Sequence, residues 1–288
     1  RHEGKLTGLA AYGKVNHQLV EFFENHRQSR EILSSKIVRW ENFNKKHFTP
    51  KLIVNKFQIS RYRQQFKHIP DQDIAATVQN YTEELVLDYI QKNMNNIPSK
   101  DICLAGGLFG NVKLNQSIKR LGFRNIFIHP AMGDEGLGVG AVLAYLGKDG
   151  QLKPKQLKNV FFGLSYSNDE IRETLEQNSL DYSVMENPAE TIANLLAQGN
   201  VVARFDGRME YGPRALGNRS ILYQTTDVRV NDWLNKKLKR IEFMPFAPAT
   251  LAKYAQDYYL DIEGADYTAQ FMTITFDCTD SMKRMCPG

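Results

Sequence analysis

The sequence predicts an α/β fold over its first half and an irregular α+β arrangement over its second. Three observations carry this. Two strand, glycine-turn, helix units follow one another between Asp101 and Gly147. A polar, lysine-rich stretch with Pro154 then separates Lys148 from Val160 and marks a domain boundary. Beyond it, helices and strands interleave without a regular βαβ repeat.

Taken in order, "DQDIAATVQNYTEELVLDYIQKN" spaces Ile74, Val78, Tyr81, Leu85 and Tyr89 three or four residues apart. That spacing predicts an amphipathic helix burying this face, with Asp71 or Asp73 at its N-terminus. "DICLAGG" is a short strand ending at Gly106 and Gly107, and "NVKLNQSIKRLG" a helix closed by Gly122. "NIFIHP" is a second buried strand, followed by "AMGDEGLGVGAVLAYLG", a turn into a helix of small residues. Parallel units of this kind place a site at the carboxyl ends of their strands. In the second half, helices are expected around "NDEIRETLEQNS", "PAETIANLLAQG" and "VRVNDWLNKKLKR", a buried strand at "NVVARF" and a late strand at "FMTITFD".

A length of 288 residues predicts about two domains. With 42% hydrophobic and 24% charged residues the composition is that of a globular protein, and wholesale disorder is excluded. The formal charge of +5 is mild and reads as a solvated basic surface that favours phosphate-bearing substrates. The segment from Lys36 to His68 interleaves Trp40, Phe43, Phe48, Phe57, Tyr62 and Phe66 with cations. Packed aromatics and solvated cations explain it better than stacked bases do, so nucleic acid is not expected as a partner. The three cysteines, Cys103, Cys278 and Cys286, have neither zinc nor disulfide spacing, and a reducing cytoplasm fits them. No apolar run reaches the ~18 residues of a membrane span, so no membrane association is expected. The opening at Arg1, inside the glycine-rich "RHEGKLTGLAAYGK", predicts that this chain is a fragment.

Three motifs carry candidate chemistry. In "LAGGLFGN", Gly106 and Gly107 let backbone N–H groups approach an anion or ribose, with Asn111 beside them. Tight strand-to-helix packing accounts for the same glycines equally well. In "GDEGLGVG", Asp134 and Glu135 suit a hard cation or a ribose hydroxyl, although an acidic turn capping a close-packed helix is the simpler account. The most specific stretch is "DGRMEYGPRALGNRS", which places Arg208, Arg214 and Arg219 among Gly207, Gly212, Pro213 and Gly217. Arginines so held form bidentate hydrogen bonds to phosphate or carboxylate oxygens and stay charged at any working pH. Asp206, Glu210 and Asn218 either hold them or touch the ligand, and Tyr211 and Ser220 complete the candidate phosphate-binding set. The six histidines are scattered, and His2, His17 and His26 show no metal-ligand spacing.

Together "EGKLTGLAAYG", "LAGGLFGNVKLNQ", "GDEGLGVGAV", "DGRMEYGPRALGNRSIL" and "EFMPFAPATL" resemble the NodU-type O-carbamoyltransferases, in the family's order and over nearly the whole chain. The resemblance implies an actin-like domain of the heat-shock ATPase superfamily, represented by its C-terminal part over residues 1–152. A YrdC-like domain follows over residues 153–288. It implies formation of carbamoyl adenylate from carbamoyl phosphate and ATP, then transfer of the carbamoyl group to the hydroxyl of a small-molecule acceptor. Arg208, Arg214 and Arg219, with Asn218, become the catalytic phosphate-binding set. Glu3, Lys5, Gly106, Gly107 and Asn111 become nucleotide neighbours, and Asp134 a ligand of a divalent metal, Mg or Fe. A cytoplasmic location follows, and a homodimer is compatible. The family's HxxxH pair and its "HxDGTxR" tail are absent, which predicts a fragment crippled in the full reaction. The rivals are a threonylcarbamoyl-type tRNA-modifying protein and a nucleotide-binding module without chemistry.

Overall fold

The computed structural model of the chain describes residues 3–25, 27, 64–96, 98–153, 156–227, 229–237 and 246–287. The chain divides into two units, Arg1–Ile90 and Gln91–Gly288.

In the first unit, helix α1 (Glu3–Ala10) leads to helix α2 over residues 17–25 and then to α3 (Asp71–Met94). Gly13 brings two backbones into contact, since a Cβ there would lie 1.9 Å from the carbonyl oxygen of Gln72. The contact is fixed by hydrogen bonds. Lys14 N–H donates to Asp73 Oδ1 at 2.8 Å, and Asn16 N–H to Thr77 Oγ1 at 2.8 Å. The expected helix is therefore present, with Asp71 and Asp73 in its first turn, but its buried face differs from the expected one. Ala75, Ala76, Thr77 and Gln79 are buried, whereas Tyr89 is 70% exposed. Hydrogen bonding to Asp73 and Thr77 selects this face, which a count of large apolar residues misses. Trp40, Phe43, Phe48, Phe57 and Tyr62 lie outside the described residues, while Phe66 packs edge-on to Phe22 with ring centroids 4.9 Å apart.

The second unit opens with the expected α/β element. Strands β1 (Asp101–Leu104) and β2 (Asn125–Ile128) pair in parallel, from Asp101↔Asn125 to Leu104↔Ile128. Helix α4 (Val112–Lys119) connects them, capped by Asn111, whose Oδ1 accepts the Leu114 N–H at 3.1 Å. Leu114 and Ile118 turn inward and are wholly buried, as is Ile128 on β2. Gly122, at φ +98°, ends the connection in a conformation that disfavours side chains. Helix α5 (Leu137–Lys148) follows with no buried residue, so its small residues do not serve close packing here.

Helix α6 (Asn168–Gln177) starts at a capping box in which Ser167 and Glu170 bond each other's backbone N–H. Helix α7 (Pro188–Ala197) starts at Asn187, with proline at its first position. Strands β3 (Val202–Phe205) and β4 (Arg219–Leu222) form an antiparallel pair. Helix α8 (Val230–Lys237) and the short helices α9 (Ala255–Tyr258), α10 (Asp266–Ala269) and α11 (Asp280–Met285) complete the described elements. "NVVARF" is a strand but not a buried one. With a single neighbour among the described residues it alternates half-buried and exposed residues, Phe205 being 60% exposed.

The late segment closes over the first α/β element. Ile126 N–H donates to Gly264 O at 2.9 Å, Ile128 N–H to Thr268 Oγ1 at 3.0 Å, and Thr275 N–H to Val112 O at 3.3 Å. Ile262, Ala265, Phe271 and Ile274 are buried there. The expected boundary at Lys148 to Val160 thus lies inside this unit, whose buried side chains come from both sides of it. "FMTITFD" forms no strand among the described residues. Met272 takes φ +53°, which breaks an extended run, and the carbonyl of Thr273 accepts from Asn115 Nδ2 at 2.7 Å.

Asn115 is wholly buried and also donates to Phe109 O at 2.8 Å, tying the glycine-rich turn to the late segment. Replacing Asn115 with alanine is expected to lower stability by about 1–3 kcal/mol, since one buried and one part-buried carbonyl lose their donor. Urea denaturation measures this, and an unchanged midpoint would show that the tie carries no stability.

Candidate functional site

The loop between β3 and β4 is the "DGRMEYGPRALGN" stretch, and its shape is set by its own charged residues. Phe205 pairs with Arg219 at the base of the hairpin, so Arg219 begins β4 rather than lying in the loop. Its guanidinium sits 3.6 Å from the centroid of the Phe205 ring. It donates to the carbonyls of Asp206 at 2.7 Å, Asn218 at 2.9 Å and Gly207 at 3.2 Å. Such a side chain staples the base of the loop, in part through a cation–π contact.

Glu210 does the corresponding work at the centre. Only 8% exposed, it accepts through Oε1 the N–H groups of Leu216 at 2.8 Å, Asn218 at 2.8 Å and Arg219 at 3.1 Å. Burial by itself pushes its carboxyl upward, but the backbone N–H groups outweigh burial and hold it below the usual carboxylate range. Asn218 Nδ2 donates to Arg208 O at 2.7 Å, and Ser220 Oγ accepts Gly217 N–H at 2.9 Å. Arg204, on β3, was not singled out by sequence reasoning; it donates to Gly217 O at 2.7 Å and pairs with Asp206. Its only signal was its place in the strand leading into the loop.

That leaves two guanidiniums differently disposed. Arg208 is exposed, with no side-chain hydrogen bond or ion pair among the described residues. Arg214 is half-buried and donates from Nη2 to Gly110 O at 3.1 Å, while its Nε is buried without a partner among the described residues. It has no carboxylate partner there either. Burial lowers its pKa from the usual arginine value, yet a guanidinium remains charged.

Gly110 belongs to the glycine-rich turn after β1, so Arg214 joins two motifs far apart in sequence. The turn itself is open. A Cβ at Gly106, Gly107 or Gly110 would meet nothing within 4 Å, so these glycines are not there for tight packing. Gly106 N–H donates to Met132 O at 2.7 Å, which binds the turn to the loop after β2. Asn111 places its Oδ1 on the helix cap described above rather than toward the turn. The arginine loop also rests on the end of β2, because a Cβ at Gly212 would lie 2.8 Å from Pro130 O. The arginine loop therefore packs against the carboxyl ends of the two parallel strands.

His129 directly follows β2 there, a position sequence reasoning passed over. Its Nδ1 lies 3.0 Å from Ala131 O, a carbonyl that can only accept, and its ring meets that of Tyr211 edge-on at 5.9 Å. The Tyr211 hydroxyl is buried without a partner among the described residues. Burial, and secondarily the charge of Glu135, raise its pKa and keep it protonated. Asp134 is exposed at the start of a 3-10 turn, and among the described residues no three His, Cys, Asp or Glu side chains converge to hold a metal ion. One carboxylate does not fit a resident divalent ion, which needs several ligands. The side chains of Glu3 and Lys5 lie outside the described residues. Among those described, no helix is long and apolar enough to cross a membrane.

Comparison with known proteins agrees with these motifs. Residues 1–143 match the family model described as Carbamoyltransferase N-terminus, and residues 193–288 that described as Carbamoyltransferase C-terminus. The chain is 34% identical over 260 residues to an uncharacterized protein of Methanocaldococcus jannaschii, covering 86% of this chain and 41% of that protein. It is 32% identical over 281 residues to nodulation protein NolO of Bradyrhizobium diazoefficiens, covering 95% and 49%. Nodulation protein U of the same organism is 26% identical over 263 residues, covering 89% and 44%. The chain spans about half the length, or less, of these curated relatives.

Proposed function

The chain belongs to the carbamoyltransferase family of the NodU and NolO type, and from that membership we propose that the intact protein is an ATP-dependent O-carbamoyltransferase. In this reading carbamoyl phosphate and ATP give carbamoyl adenylate, and the carbamoyl group then passes to a hydroxyl of a small molecule or sugar. Atom balance fixes the other products. Carbamoyl adenylate keeps one phosphorus from ATP, so pyrophosphate leaves, and the donor's own phosphate leaves as inorganic phosphate with water supplying an oxygen.

The observation that supports the reading is Arg214, half-buried, without a carboxylate partner among the described residues, and bonded to Gly110 O. A guanidinium in that state is held for an anion. Arg208 and Arg214 would neutralise phosphate charge as the mixed anhydride forms, and the protonated Tyr211 hydroxyl is a further neutral donor of the same loop. Arg219, Asn218 and Ser220 shape the loop. The open backbone at Gly106 and Gly107 offers room for the nucleotide. Residues 1–152 are read as the C-terminal part of an actin-like transfer domain, and residues 153–288 as a YrdC-like adenylate-forming domain. ATP enters as a substrate, which suits a cytoplasmic setting. The described residues do not fit a resident metal.

The test is to incubate the intact protein with magnesium ATP and carbamoyl phosphate and to follow both phosphate products. Pyrophosphate and inorganic phosphate in equal amounts, each requiring both substrates, are expected. Absence of release would sink the adenylate mechanism and return the chain to a nucleotide-binding module.

A further inference from the structure

Glu210 lies in sequence between Arg208 and Arg214, yet among the described residues it forms an ion pair with neither, nor with Arg219. We infer that Glu210 is the positioning residue of the anion-binding loop. Its buried carboxylate gathers the N–H groups of Leu216, Asn218 and Arg219 and so holds Arg208 and Arg214 open for a phosphate dianion. The inference rests on the phosphate-binding reading of the loop given above.

The hydrogen-bond pattern shows how the loop is built without using those two arginines. Glu210 takes backbone N–H groups, and Arg219 takes the carbonyls of Asp206, Gly207 and Asn218. The other acid of the loop, Asp206, pairs with Arg204. Each acid is thus satisfied away from Arg208 and Arg214, and their two positive charges stay uncompensated for a ligand. A carboxylate facing a phosphate would repel it, and a carboxylate paired with Arg214 would cancel the charge that attracts it. Bonding to backbone N–H groups avoids both, because those dipoles stabilise the carboxylate without consuming a cation. Of the two roles open to it from the motif, holding the arginines or touching the ligand, Glu210 thus takes the first, and it acts through the backbone. The same bonds fold residues 216–219 back toward residue 210, and the entry side of the loop is fixed by Tyr211 N–H donating to Val160 O at 2.7 Å.

The experiment compares E210Q and E210A with wild type in the intact protein. It measures KM for carbamoyl phosphate and kcat in pyrophosphate release, and amide exchange over residues 216–219. E210A is expected to raise KM by about tenfold or more, with a smaller change in kcat, and to expose those amides to exchange. E210Q, whose amide oxygen still accepts but carries no charge, is expected to raise KM by about threefold to tenfold. Should E210A fail to fold, E210Q alone decides. An unchanged KM in E210Q, with wild-type exchange, overturns the inference while leaving the proposed function standing. A wild-type protein that releases no pyrophosphate overturns the proposed function, and the inference with it. The two failures are therefore distinguishable.

Discussion

Replacing Arg214 with alanine in the intact protein is expected to lower carbamoyl-phosphate-dependent pyrophosphate release by roughly 10²–10³-fold, the cost of removing one preorganised charge at a developing anion. The size follows from its surroundings. Arg214 is half-buried and bonded to one protein carbonyl, with its Nε unpartnered, so most of its donors remain for a ligand. Its removal takes away no ion pair among the described residues, and the melting temperature should fall little. Arg214→Lys should rescue only in part, because an ammonium keeps the charge but loses the planar fork. Arg219→Ala should behave in the opposite way, losing stability together with activity, since Arg219 is bound to three carbonyls and an aromatic ring. Equal activity of wild type and Arg214→Ala would remove the support for phosphate binding at this loop.

The second large effect is expected from Gly212→Ala. Gly212 has φ +112°, which an alanine rarely adopts, and the added Cβ would lie 2.8 Å from Pro130 O and 3.1 Å from its carbonyl carbon. Strain and clash together predict a loss of about 2–4 kcal/mol, because the obstacle is backbone and cannot swing away. The loop would lift from the end of β2, and Arg214 would leave Gly110, so pyrophosphate release should fall as well. Gly138→Ala is the control. A Cβ at Gly138 meets nothing within 4 Å, and in helix α5 the change should leave stability equal or raised by about 0.5–1 kcal/mol. Urea unfolding of both variants measures the contrast, and identical midpoints for Gly212→Ala and wild type would refute the close approach.

Local chemistry was readable in the sequence where a single residue type dictates it. The helices α4 and α7 and the parallel pairing of β1 with β2 follow from patterns in the sequence, whereas Asn111, read there as a nucleotide neighbour, caps α4. What escaped was decided by partners distant in the chain. The alternation of "FMTITFD" resembles a strand, but its backbone is taken by Asn115 and Val112, and Met272 turns left-handed. The α3 face was misplaced because Asn16 and Lys14 bond to Thr77 and Asp73, which no periodicity announces. Three arginines look alike in a sequence. Only the pairing of Phe205 with Arg219 makes one of them a staple, and only the reach to Gly110 singles out another.

The closure of residues 262–275 over β2 and α4 has a consequence for synthesis on the ribosome. Ile126 and Ile128 emerge well before Gly264 and Thr268, which satisfy their N–H groups. The interval is about 140 residues, or roughly 7–30 s at a translation rate of ~5–20 residues/s. Throughout it Leu114, Ile118, Ile126 and Ile128 lack the segment that covers them in the finished fold. A truncated product ending before residue 262 is expected to leave that apolar surface uncovered and to be more sensitive to proteolysis than the finished chain.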